Sequence, residues 1–325
     1  MMQIVIIGIG AGVAAALLFT SVTSGIWLSI PLFYLAPLPI MIAGLGWSHW
    51  AALIASLTGA LTLGGIFGVV FLFAFLAGAG VPAWWLGYLA MLARPVTASG
   101  PGGQQAPLEW YPPGRLVIWA ALLAALVVIV AIPNFGTDAE SFRAGLRGTL
   151  NTVLRAEIAT QAEPPSGMPA RADRLIEFLV SAIPLAAAIL ATITNLFNLW
   201  LAARIVKFSG RLGRPWPQLS ALKFPPSLAA ILAVAVALSF VDGMLGIVAG
   251  ITSAALLLAY GVLGFAVLHA ITQGLQMRPF LLGLAYAAVF LIGWPILALC
   301  LLGLIDTTID LRGRVARKRG PPAIS

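Results

Sequence analysis

Charge is what this sequence has least of. Only 9% of its 325 residues are Asp, Glu, Lys or Arg, against roughly one quarter in a soluble domain. That shortage excludes a water-surrounded globule. Barrel-type strands of alternating polarity are also missing. What the chain has instead is 61% hydrophobic residues, in runs that exceed the roughly 20 residues needed to cross a bilayer as helix. The expected fold class is all-α: a polytopic transmembrane helix bundle forming one integral membrane domain over residues 1–325.

Cysteine and histidine are nearly absent too. A single cysteine, Cys300, rules out an intrachain disulfide and a thiolate cluster, and its apolar surroundings make it a packing residue. His269 lacks the second His and the Glu of a metal-binding helix motif. No Ser-His-Asp order, paired-carboxylate site, phosphate loop or dinucleotide fingerprint can be assembled. The chain is read as a non-enzyme without a cofactor or metal. Its net charge of +8 does not point to nucleic acid, because the basic residues fall in loops and at the tail, where the positive-inside rule puts them. No loop is expected to interleave basic with aromatic side chains as a nucleic-acid face would. Residues 2–22 have no basic stretch before them and no good cleavage site after them, and are read as a retained first helix.

Apolar segments fall at 3–22, 26–46, 49–65, 66–92, 115–132, 174–206, 225–241, 243–273 and 279–305, giving eight or nine helical segments. In the second, Pro31, Pro37 and Pro39 remove backbone donors and force a kink or an unwound stretch. Residues 94–114 are rich in Pro and Gly and read as surface loop. Within the extramembrane segment 133–173, Phe142, Leu146, Val153 and Leu154 recur at helical spacing among charges. They fit either an amphipathic helix on the membrane surface or one packed on the bundle. If the 17 residues of 225–241 enter and return, eight spans remain. Both termini and the basic loop 204–223 then share the cytoplasmic face, and 133–173 faces outward.

Small residues at four-residue spacing, Gly8, Gly12 and Ala16, give the first helix a face that suits either internal packing or a partner subunit. Polar groups in the apolar zone are costly unless paired or facing a cavity. Thr192, Asn195 and Asn198 share one side of a long helix. Asp242, at the break in "SFVDGMLG", suits an N-cap or a ligand site at a discontinuous helix. His269 and Gln273 share a helix face. In "LLGLIDTTIDLRGRVARKRG", Asp310 is placed to pair with Arg314, whereas Asp306 has no basic residue one turn on and needs a partner from the 204–223 loop or a helix end. The basic tail, 306–325, reads as an anchor to anionic lipid.

The runs "QGLQMRPF", "GLIDTTIDLRGR", "NLWLAARIVKFSGRLGRPWP" and "APLPIMIAGLGW" resemble the YybS-like family of bacterial multi-pass membrane proteins, a domain of unknown function. That family is similar in fold to the S components of energy-coupling-factor transporters and to MreD. The resemblance implies an S-component-like core with extra helices, in the bacterial inner membrane. It also implies a first helix, through Gly8, Gly12 and Ala16, that docks a partner. Two functions follow as expectations. One is a binding or transport subunit holding an unknown small solute near Asn195, Asn198, Asp242, His269, Gln273 and Asp306. The other is a non-catalytic scaffold or assembly protein. Convergence of polar residues on one cavity separates them.

Overall fold

A computed structural model of the protein describes residues 1–96, 108–159 and 168–319. It is helical almost throughout. Among the described residues the one sheet is a hairpin of three-residue strands, β1 (Ala93–Pro95) and β2 (Leu108–Trp110). The Pro- and Gly-rich stretch 97–107 between them lies outside the described residues.

The first half follows from small residues and prolines. Helix α1 (Met2–Thr20) is followed by α2 (Ser29–Tyr34) and α3 (Pro37–Gly46), which replace the single second segment. Pro37 has no N–H to give and the chain resumes with Leu38 N donating to Leu35 O at 3.0 Å, so the break falls at Leu35 and Ala36. Ser48 caps α4 (His49–Phe67) by accepting from Ala51 N. Helices α5 (Val69–Phe75) and α6 (Val81–Ala90) are joined by a π-helical turn, Leu76–Gly80, and α7 (Pro113–Ala131) follows the hairpin.

Gly8 of α1 meets Ala51 and Ile54 of α4, and Gly12 meets Ala55 and Gly59. The two helices therefore run in the same direction with their backbones touching. The face formed by Gly8, Gly12 and the buried Ala16 is filled by the chain's own α4, which corrects its expected use as a partner-docking surface. What α1 turns outward is Ile6, Ile9, Val13 and Leu17.

Helix α8 (Ala139–Ala159) opens on Asp138, whose carboxylate accepts from the backbone N–H groups of Glu140 and Ser141. These bonds, with those to the Ser141 hydroxyl, hold the Asp138 carboxyl below its usual range. Phe142 and Leu146 are buried in the core while Val153 is exposed. Arg147 pairs with Glu177 of the 41-residue helix α9 (Met168–Phe208). The first half of α8 is thus packed on the bundle. Residues 160–167 and the Leu154 side chain, which belong to the same expected segment, lie outside the described residues.

The second half holds α10 (Ser227–Leu238), α11 (Met244–Ile271), α12 (Arg278–Ile292), α13 (Ile296–Ile309) and α14 (Leu311–Arg319). Gly250 of α11 sits by Leu185 of α9, and Leu258 and Val262 share a cavity with Ile193–Ala203. Helix α11 therefore runs the same way as α9, and α10 must carry the chain from one end of the bundle to the other. Of the two courses open to residues 225–241, re-entry and crossing, the chain takes the crossing. Only 12 residues suffice for α10 because the preceding loop dips inward, with Leu222 and Phe224 buried and Phe224 edge-on to Tyr260.

It is the last apolar stretch, 279–305, that turns back. Gly293, at φ 83, and Pro295 break it into two helices. Helix α12 folds against α11 through Tyr286 and Phe265, stacked at 4.5 Å. Helix α13 then returns alongside α11, with the Cys300 thiol donating to Leu257 O at 2.9 Å and Gly303 fitted against Tyr260 and Gly264. The start of α1 and helix α14 consequently lie at one end of the bundle, with the hairpin and the 209–226 loop. Arg94, Arg115, Arg204, Lys207, Arg211, Arg214, Lys223, Arg278 and the five basic residues of α14 fall at that end, thirteen of eighteen. Seven helical stretches among the described residues are long and apolar enough to cross a membrane.

Candidate functional site

The polar side chains of α9 go to two different tasks. Asn198, fully buried, donates through Nδ2 to Tyr34 O and to Thr194 O, each at 2.8 Å. Tyr34 is the last residue of α2, and Leu38 N, its ordinary helical partner, bonds Leu35 O instead. Asn198 therefore satisfies a carbonyl orphaned by the proline break. Its own Oδ1 is buried without a partner among the described residues. Asn195 donates to Ala120 O of α7 at 3.2 Å and lines a chamber of about 230 Å³ beside the α2–α3 break and the π turn. Thr192 bonds back to Ala188 O in its own helix.

The remaining expected site residues lie elsewhere. His269 Nδ1 donates to Phe265 O one turn back, at 2.9 Å, so its own helix satisfies it, and its ring meets Tyr286 edge-on. Gln273 lies beyond the end of α11 and is exposed. Asp242 is exposed, and the N-cap of α11 is Gly243, at φ 89, with no side-chain cap bond. The expected convergence of Asn195, Asn198 and His269 on one cavity is not found: Asn195 borders the small chamber, Asn198 seals a helix break, and His269 lines neither cavity.

Asp306 finds its partner six residues on. Asp310 adopts the left-handed conformation, φ 49, which ends α13 and starts α14. Asp306 then accepts from the Arg312 backbone N–H at 3.0 Å, from Nε at 3.0 Å and from Nη2 at 2.7 Å. Arg312 Nη1 reaches Ser220 O of the loop at 2.8 Å. The carboxylate thus meets the positive end of α14 and ties the returning helix to the loop. Asp310 makes no ion pair with Arg314 among the described residues. Arg314 Nε donates instead to Ile309 O.

A second cavity, larger than the one beside Asn195, is one the polar residues did not announce. A cavity of about 630 Å³ lies between α3, α6, α7, α9, α11, α12 and the 209–226 loop. Its walls include Leu45, Leu116, Ile193, Leu196, Trp200, Leu258 and Tyr286, and Arg214 is the one charged residue lining it. Gly210, at φ 72, ends α9 and turns the chain so that "RPWP" forms one wall. Arg214 donates from Nη1 to Ala90 O at 2.9 Å and from Nη2 to Tyr111 O at 2.8 Å. Burial lowers its proton affinity, yet a guanidinium stays charged. Beside it, Arg204 and Lys207 stand over the Trp216 ring, 5.5 and 5.0 Å from its centre, and Arg211 stands over Trp47 at 4.7 Å. Basic and aromatic side chains therefore do interleave here, contrary to expectation. No ion pair among the described residues joins any of these four cations to a carboxylate. The arrangement can hold an apolar body and neutralise a negative charge at its edge. The signal is present in "RLGRPWP", where basic residues, Trp and Pro alternate, but in sequence it bears on orientation and on the family resemblance and not on a cavity.

One family model, described as "Predicted membrane protein (DUF2232)", matches residues 12–307. The chain belongs to this family. The match takes in α4, α9, the 209–226 loop and the returning α13 up to Asp306, so the cavity lies inside the family's domain and not in an appendage. No curated protein and no solved structure matches the chain. Among the described residues no group of three or more His, Cys, Asp or Glu is placed to hold a metal.

Proposed function

We propose that the protein is a non-catalytic binding subunit of the bacterial cytoplasmic membrane, holding one small, mainly apolar molecule in the larger cavity. The observation that carries this reading is convergence. Six helices and a loop line an open-sided cavity of about 630 Å³, within the roughly 300–1,000 Å³ of small-molecule sites. The excess of basic residues at the end holding the start of α1 and helix α14 makes that end cytoplasmic. The resemblance to S components supports a ligand-holding role, with a partner docking on some surface other than the filled glycine face. Solvent extraction of the purified protein followed by mass spectrometry tests this. Wild type should release a stoichiometric apolar molecule, and Ala203→Trp, which fills the cavity from α9, should release none while melting normally. Equal content in both would refute the reading.

A scaffold without ligand is the second reading, and α12 favours it. None of its residues is buried, and Phe280, Leu284, Phe290 and Leu291 are all exposed. That surface suits a membrane partner as well as it suits lipid.

A further inference from the structure

The cavity has a polarity that its apolar walls alone do not explain. Arg214 lies at its rim, half-buried, with Arg204 and Lys207 stacked on the neighbouring Trp216. No carboxylate among the described residues pairs with Arg214, and the two carbonyls it bonds leave its positive charge unneutralised, so an anion reaching the rim meets a complementary charge. The two carbonyl bonds use one N–H from each terminal nitrogen. Three of the five guanidinium donors are left, enough for a fork of two parallel bonds to a carboxylate. The cavity below is lined by apolar side chains. At about 630 Å³ it falls within the roughly 300–1,000 Å³ of small-molecule sites, which is room for a hydrocarbon chain.

We infer that the cavity is a binding site for a single-chain anionic amphiphile, its carboxylate on Arg214 and its chain running between α9 and α11. This rests on the proposed reading of the cavity as a ligand site and adds the ligand's class.

Trp200 and Trp216 line the cavity, so a bromine-labelled occupant quenches their emission. The probes are bromopalmitate and the bromohexadecanol of the same chain length, titrated into the full-length protein in nonionic detergent and alkaline buffer. The carboxylate should bind roughly 10- to 100-fold more tightly than the alcohol, the effect of about 1.5–3 kcal/mol for hydrogen bonds to a charged group. Arg214→Gln should erase that difference, Arg214→Lys should restore part of it, and added salt should weaken the carboxylate alone. Should Arg214→Gln fail to fold, the carboxylate-to-alcohol ratio in wild type decides. Equal binding of both probes would overturn the inference and leave the cavity reading standing. Binding of neither would overturn both.

Discussion

Helices α4 and α12 are both apolar, and the protein holds them in opposite ways. Along α4, Ala51, Ala52, Ala55, Ser56, Gly59, Ala60 and Leu63 are all buried, and Gly12 and Gly59 bring two backbones together. Along α12 no residue is buried, and ring contacts from Tyr286 to Phe265 and His269 hold it to α11. Hydropathy does not separate the two, because lipid chains are as apolar as Leu and no hydrophobic force drives one membrane helix onto another. Small residues and paired polar groups make the difference.

The comparison breaks most sharply at the end of α13, the half of the hairpin that is fixed. Asp306 is buried and Arg312 nearly so, with side chains 4% and 10% exposed. Asp306→Ala strands the guanidinium and should cost about 3–5 kcal/mol, read as a fall in the denaturant midpoint of the purified protein. Asp310→Ala, at an exposed position, serves as the matched control and should cost far less. Equal losses would mean that the helix break, and not the ion pair, holds α13.

Next in size is Gly12→Leu. A Cβ there would already lie 2.5 Å from Ala55 O and 2.7 Å from Thr58 Cβ, so α1 and α4 must separate. Overpacking of this kind costs about 1–3 kcal/mol. The measured outcome should be loss of thermal stability in the isolated chain. Normal melting with loss of a co-purifying protein would return the glycine face to a partner.

How much of this was legible follows from the same distinction. Segment positions, the proline break in the second segment and the buried cysteine could be read directly, since each depends on local composition. The burial of Asn195 and Asn198 was equally visible, because a polar group in lipid needs a partner. Which partner was not visible: Tyr34 O lies 164 residues from Asn198 in sequence, and nothing local points to it. Asp306 escaped for a related reason. Its pairing with Arg312 needs a left-handed residue at Asp310, and helical spacing counts only partners three or four residues away. The turning back of α12 and α13 was hidden by hydropathy, which runs unbroken across Gly293 and Pro295. The cavity was hardest, because its walls are apolar residues indistinguishable from core, and its one charged residue looked like a topology signal.

Asn198→Leu falls between the packed and the loose extremes. It removes the donor that satisfies Tyr34 O, and interhelical bonds of this type in membranes are worth about 0.6 to 2 kcal/mol. Stability measured by denaturant titration should drop within that range. A loss near zero would show that another donor replaces Asn198 at the break.

The smallest effect should come from α12 itself. Phe290 is 89% exposed and Leu291 is 79% exposed, so truncating either to Ala removes almost no packed contact. Surface substitutions of this kind stay within about 0.5 kcal/mol, and both variants should melt with wild type in detergent. The same variants examined in the native membrane carry the sharper information. If α12 faces only lipid, abundance and assembly stay unchanged there as well, because one apolar side chain replaces another against hydrocarbon. If a partner helix packs on Phe290, the double variant Phe290→Ala, Leu291→Ala should release that partner while the isolated chain keeps its stability. A large loss in detergent would contradict the looseness of α12, and with it the contrast with α4.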